Sequence, residues 1–153
     1  MTKLKIIHHW RGAPGMRLLG LGPRFLPNQS LIKLQILLNN HTEWAKMRST
    51  KDLKKALAGS DVIISMWNHR ELVGFGRATS DRVYRAVLWD VVIASNQQRL
   101  GLGRKLIESL LASNYLKNVE KVYLMTSNQE TFYKQVGFQI SKNKKLMHHN
   151  RSK

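Results

Sequence analysis

The run Gln98-Arg99-Leu100-Gly101-Leu102-Gly103 sits where a strand should end and a helix begin. Upstream lies Ala86-Val87-Leu88-Trp89-Asp90-Val91-Val92-Ile93-Ala94, an apolar stretch rich in β-branched residues. Downstream, Leu102, Leu106, Ile107, Leu110 and Leu111 recur at helical spacing. A glycine-bearing turn that opens a helix leaves backbone N–H groups without intrahelical partners, at the positive end of the helix dipole. Such a turn is a ready anion site, and phosphate is the group it suits. The other reading of these six residues is a plain turn whose glycines ease helix–strand packing.

The spacing excludes two familiar phosphate loops. A dinucleotide fingerprint would place a third glycine three residues after Gly103, where Leu106 stands. A Walker loop would continue Gly-Lys-Ser/Thr, whereas this chain continues Arg104-Lys105-Leu106. What fits is Gln/Arg-x-x-Gly-x-Gly/Ala.

At 153 residues with 42% hydrophobic composition, the chain is expected to form one domain, residues 1–153, with a sizeable core. It has no cysteine, which excludes a cysteine nucleophile, thiolate metal sites and disulfides. Met1 to His8 carry no signal-peptide core or transit character, and no apolar run approaches a membrane span. Lys and Arg total 26 against 9 acidic residues, a net charge of +17. That balance favours nucleic acid, an acidic protein or a phosphate-rich co-substrate as partners, or simply a solvated basic surface. The densest cluster is Lys142, Lys144, Lys145, Arg151 and Lys153. No aromatic-interleaved sheet motif or recognition-helix pattern accompanies it along the chain.

The remaining elements are predicted from local signals. Residues 1–27, rich in Gly and Pro, read as a short strand (Lys5 to His8) followed by irregular loop. A helix from Ser30 to Asn39 places Leu31, Leu34 and Leu38 on one face. Ser49 to Asp52 open a second helix that turns Leu53, Ala56 and Leu57 inward, with Gly59 expected in a left-handed C-terminal conformation. Asp61 to Trp67, a turn at Asn68-His69-Arg70 and Glu71 to Ala78 form a hairpin. A turn at Thr79 to Arg82 leads into a strand from Tyr84 to Ala94. After the Gly101 helix come a strand at Lys121 to Met125 and a short helix, opened by a capping box at Ser127 to Glu130, that buries Phe132 and Val136. A last strand begins at Phe138, with Leu146 and Met147 in its continuation. The sum is an α+β fold: a mixed, mostly antiparallel sheet flanked by about four helices.

This order and the loop pattern resemble the GNAT superfamily of acyl-CoA N-acyltransferases. Asn128 to Phe138 resembles that family's Asn…Phe-Tyr-x-x-x-Gly-Phe segment. Asn40 to Ser49, Gly74 to Asp81, Leu88 to Val92 and Val122 to Thr126 are similar to its plastid and cyanobacterial, serotonin N-acetyltransferase-like branch. The likeness begins near residue 40, and the first 27 residues match poorly. The family's proline three residues before the loop is replaced by Ser95.

The resemblance implies acetyl-CoA as co-substrate, a primary amine as acceptor, and a cytoplasmic (cyanobacterial) or plastid stromal location. It implies that the strand at Val91, Val92 and Ile93 pairs with the pantetheine arm and polarises the thioester through backbone N–H groups. Gln98, Arg99, Leu100, Gly101, Leu102, Gly103 and Arg104 would hold the pyrophosphate. Arg99, Arg104 and Lys105 are candidates to neutralise phosphates, or else ordinary exposed charges. Asn128 either bonds the pantetheine or belongs to its helix's first turn. Tyr133 is the candidate general acid for the departing thiolate, against a plain packing role beside Phe132. Asp90, a carboxylate in an apolar strand, is either the general base or a structural carboxylate paired with an arginine such as Arg77 or Arg85. Trp89 lines either the acceptor pocket or the core. The pairs His8/His9 and His148/His149 lack ligand spacing, so no metal is expected. A binding module that keeps the fold and holds RNA or a ribosome-associated partner is the competing reading.

Overall fold

The computed structural model describes residues 4–9 and 27–151. Among these residues, five strands form one sheet in sequential order: β1 (Leu4–His8), β2 (Val62–Asn68), β3 (Glu71–Ser80), β4 (Arg85–Ile93) and β5 (Lys121–Tyr123). The first four pair antiparallel, and β5 joins β4 in parallel. Among the described residues, four helices flank the sheet: α1 (Pro27–His41), α2 (Thr50–Ala58), α3 (Leu102–Leu111) and α4 (Glu130–Gln135). The expected α+β architecture is present, and the irregular loop expected after β1 lies outside the described residues.

The core forms where the apolar spacing placed it. Leu31, Leu34 and Leu38 of α1, Leu53 and Leu57 of α2, and Leu102, Leu106, Ile107 and Leu110 of α3 are all buried. β2 is buried along nearly its whole length, set between β1 and β3 in the sheet and packed against α3. α3 packs so closely on β3 that a Cβ at Gly76 would lie 3.0 Å from Leu110 Cδ1. On β2, the buried Ser65 hydroxyl accepts from Trp67 Nε1 and lies 2.8 Å from His9 Nε2. Burial, with the neighbouring His8 charge, pushes the His9 imidazole down to about 4.

Several local expectations are corrected. α1 begins at Pro27, three residues before Ser30, because proline's preset φ suits a first helical position. Gly59 adopts φ −83°, not a left-handed conformation. The Ser60 hydroxyl donates to the Ala56 carbonyl at 2.7 Å, so the helix end is satisfied without one. The capping box at Ser127 does not form: α4 starts at Glu130, and Gln129 N–H instead donates to Thr126 Oγ1 at 3.1 Å. β5 stops at Tyr123 rather than Met125, and no strand forms after Phe138. Leu146 and Met147 are exposed; Lys142, Lys144 and Lys145 break the alternation a half-buried strand requires.

Candidate functional site

The site grows from a defect in β4. Arg77 pairs with Trp89 and Phe75 with Val92, so β4 spends three residues where β3 spends two. The extra residue makes a bulge at Asp90, whose φ is +53°. A bulge bends its strand, and β4 parts from β5 here. The two pair only from Arg85 to Val87, opposite Lys121 to Tyr123. From Leu88 to Ile93, among the described residues, that edge of β4 has no strand beside it. At about 3.3 Å per residue, the open edge runs for about 20 Å. It can accept an extended chain as an added strand.

Two arginines hold the bulge. Asp90, 7% exposed, accepts from Arg77 Nε at 2.6 Å and from Arg48 Nη1 at 2.9 Å. Arg77 belongs to β3, but Arg48 ends the α1–α2 connection, where Gln35 Nε2 holds its carbonyl at 2.9 Å. The carboxylate thus ties that connection to the bend in β4. Of the two readings of Asp90, the paired carboxylate describes its contacts: Arg77 is one partner, Arg48 is the other, and Arg85 instead pairs with Glu120. Trp89 is half-buried, with its indole N–H on Thr79 Oγ1 at 2.9 Å.

The open edge leads into the loop singled out by the sequence. After Ile93 comes a 3-10 turn, Ser95–Gln97, and then α3. Gln98 Nε2 folds back on the Ile93 carbonyl at 3.3 Å. Arg99 has φ +64°, and Gly101, with φ +75°, stands at the N-cap with no side chain to cap the helix. The first helical bond runs from Lys105 N–H to the Gly101 carbonyl, so the N–H groups of Leu102, Gly103 and Arg104 have no partner within the helix. An anion fits that cradle on two counts, free donors and dipole. Ser95 N–H donates to His41 Nδ1 at 3.1 Å, a bond proline could not make.

The two sequence motifs meet in space. A Cβ at Gly103 would lie 3.0 Å from Phe132 Cζ, so the α4 ring packs directly against the start of α3 and a larger residue there would push it back. Arg104 Nη2 reinforces the contact on the Gln135 carbonyl at 3.1 Å and also lies 3.9 Å from Glu108. This brings α4, with Tyr133, beside the loop. Tyr133 packs edge-on between Phe132 and Phe138, and its hydroxyl bonds to no described residue. Burial pushes the Tyr133 hydroxyl above the usual phenol range. Asn128 is exposed just before α4. Val91, Val92 and Ile93 lie on the open stretch of β4, and Leu100 is exposed in the loop. His41 and Arg48, which sequence reasoning missed, sit 54 and 42 residues from their partners, and no local pattern announces them.

Comparison with known proteins identifies the family. A family model described as the acetyltransferase (GNAT) domain matches residues 28–151. An N-acetyltransferase of uncharacterised role, ycf52 of Pyropia yezoensis, is 37% identical over 116 residues, covering 72% of this chain and 66% of that protein. The chloroplastic GCN5-related N-acetyltransferase 2 of Arabidopsis thaliana is 30% identical over 118 residues, covering 74% of this chain and 45% of that protein. The chain therefore spans less than two thirds of these relatives' length. A GNAT-family structure from Xanthomonas campestris shares the fold at a TM-score of 0.73 and 21% identity, covering 99% of this chain and 95% of that one. No described helix is long and apolar enough to cross a membrane. By the family match across most of its length, this chain belongs to the GNAT acetyltransferase family.

Proposed function

We propose that this protein is an acetyl-CoA-dependent N-acetyltransferase that passes acetyl to a primary amine by direct attack in a ternary complex. The observation that carries this reading is the open β4 edge from Leu88 to Ile93, leading to an uncapped helix start at Gly101. The edge takes the pantetheine arm, and the N–H groups from Gly101 to Arg104 take the pyrophosphate, with Arg99 and Arg104 adding charge. Asn128, exposed just before α4, is assigned to bonding the arm.

The neutral amine nitrogen adds to the thioester carbonyl carbon. Backbone N–H groups near Val91, Val92 and Ile93 stabilise the oxygen as it gains charge. The C–N bond forms, the C–S bond breaks, and the thiolate takes the Tyr133 proton; the proton released by the amine restores the phenol through water. A phenol raised by burial stays protonated at neutral pH, as an acid must. Asp90 acts here as a positioning residue. Each of its oxygens accepts from one guanidinium, which fixes the carboxylate in place. The acceptor is an arylalkylamine such as serotonin, or a protein lysine or N-terminus. Relatives described as chloroplastic or from cyanobacteria support a plastid stromal or cyanobacterial cytoplasmic location.

Thermal melting with acetyl-CoA, CoA and desulfo-CoA, paired with thiol release on serotonin, tryptamine and a lysine peptide, tests this reading. Stabilisation with amine-dependent thiol release is expected. No stabilisation at millimolar acetyl-CoA would refute it, and the basic binding module would take its place.

A further inference from the structure

The opposite end of β4 carries a second surface. Arg85 stands beside Lys121, and Val87 beside Tyr123. Residues two apart in a strand share a face, so Arg85, Trp89, Lys121 and Tyr123 line one side of this corner. Trp89 continues the row toward β3, where the Arg77 guanidinium lies 5.9 Å from its ring. The chain after α4 crosses the corner: Lys144 Nζ donates to the Tyr123 hydroxyl at 3.2 Å and lies 5.7 Å from its ring centre. Arg85 and Lys121 are exposed, and Trp89 and Tyr123 are partly buried. The Lys144 hydrogen bond, then the charges of Lys144, Arg85 and Lys121, hold the Tyr123 hydroxyl below the usual phenol range, which marks how closely these cations converge. Glu120 offsets Arg85 at 3.2 Å, but among the described residues no carboxylate lies within ion-pair distance of Lys121 or Lys144.

We propose that this corner docks single-stranded RNA, with bases on the Tyr123 and Trp89 rings and phosphates on Lys121, Lys144 and Arg85. Cations alone would suit any polyanion. Partly exposed rings set between cations on a sheet face suit bases, which stack, better than an acidic protein chain, which does not. Arg85, with Lys121 and Tyr123 beside it, lies at the start of β4, whereas Trp89 stands within the open stretch that leads to α3. The inference does not depend on the transferase reading.

Fluorescence polarisation with a labelled twelve-nucleotide oligouridylate, titrated across a salt series, tests it. Lys121→Glu with Lys144→Glu should weaken binding by more than ten-fold, roughly, and flatten the slope of log affinity against log salt by about 1.4. Tyr123→Leu, which keeps apolar bulk but removes the ring, should weaken binding about ten-fold with the salt slope unchanged. Thermal melts of each variant with acetyl-CoA establish that the fold and the cofactor loop are intact. Absence of binding at micromolar protein in 100 mM salt would overturn the proposal. So would equal binding of polyglutamate, or an RNA affinity indifferent to all three changes in variants that melt normally.

Discussion

Asp90 offers the sharpest test, because its two roles predict opposite dissociations of stability from turnover. Its carboxylate is 7% exposed and joins Arg77, 15% exposed, to Arg48, about a third exposed. Removing the carboxylate strands the Arg77 guanidinium, which keeps only a 3.3 Å bond to Ser60 Oγ, while Arg48 can turn to water. Breaking a buried pair by deleting one partner costs about 3–5 kcal/mol, and the exposure of Arg48 puts this one at about 3 kcal/mol. Asp90 also holds φ +53°, where alanine adds about 1 kcal/mol of strain and asparagine adds less. Asp90→Ala should therefore lose about 4 kcal/mol. Asp90→Asn keeps an acceptor oxygen and the backbone tolerance, and should lose about 2 kcal/mol. For a chain of this size that is a fall in Tm of about 8–16 °C and about 4–8 °C respectively. Urea denaturation gives the free energies, and thiol release well below both midpoints gives turnover. The clamp predicts two unstable variants whose residual activity follows the folded bulge, with Asp90→Asn well above Asp90→Ala. If Asp90→Asn is as stable as the parent yet loses more than about a hundred-fold in kcat, the clamp reasoning fails and Asp90 is the base.

Tyr133→Phe should leave the melting temperature and acetyl-CoA affinity nearly unchanged but lower kcat by about a hundred-fold or more, read in steady-state thiol release. An unchanged kcat would reduce Tyr133 to a packing residue. His9 is held near 4, below its unfolded value of 6.5, so folding favours the neutral ring. Its contribution is fully present above pH 6.5 and is lost as pH falls toward 4, at a cost of about 3 kcal/mol below that. Urea midpoints of the parent should fall through this window more steeply than those of His9→Gln, and parallel curves would refute the assignment. Gly101→Ala meets no atom within 4 Å but must hold φ +75°, so about 1 kcal/mol of strain should appear as a Tm loss of about 2–4 °C, with weaker stabilisation by CoA.

The sequence by itself determined what depends on neighbours a few residues apart. Leu31, Leu34 and Leu38 turned to the core because a helix repeats every 3.6 residues, and Ser49 capped α2 on Asp52 N–H because that bond spans three positions. The loop from Gln98 to Gly103 was legible for the same reason: its glycine, its strand and its helix adjoin. Weak periodicity misled where cations interrupted it, as in the missing strand after Phe138. Only the tertiary structure decided which distant residues meet. Arg48 reaches Asp90 across 42 positions, Ser95 finds His41 across 54, and Gly103 meets the Phe132 ring. The row of rings and cations at the β4–β5 corner is likewise scattered along the chain and becomes a surface only when Lys121 pairs beside Arg85. Each of these contacts depends on strand register and helix packing, which are collective results of burying one core and leave no mark on local spacing.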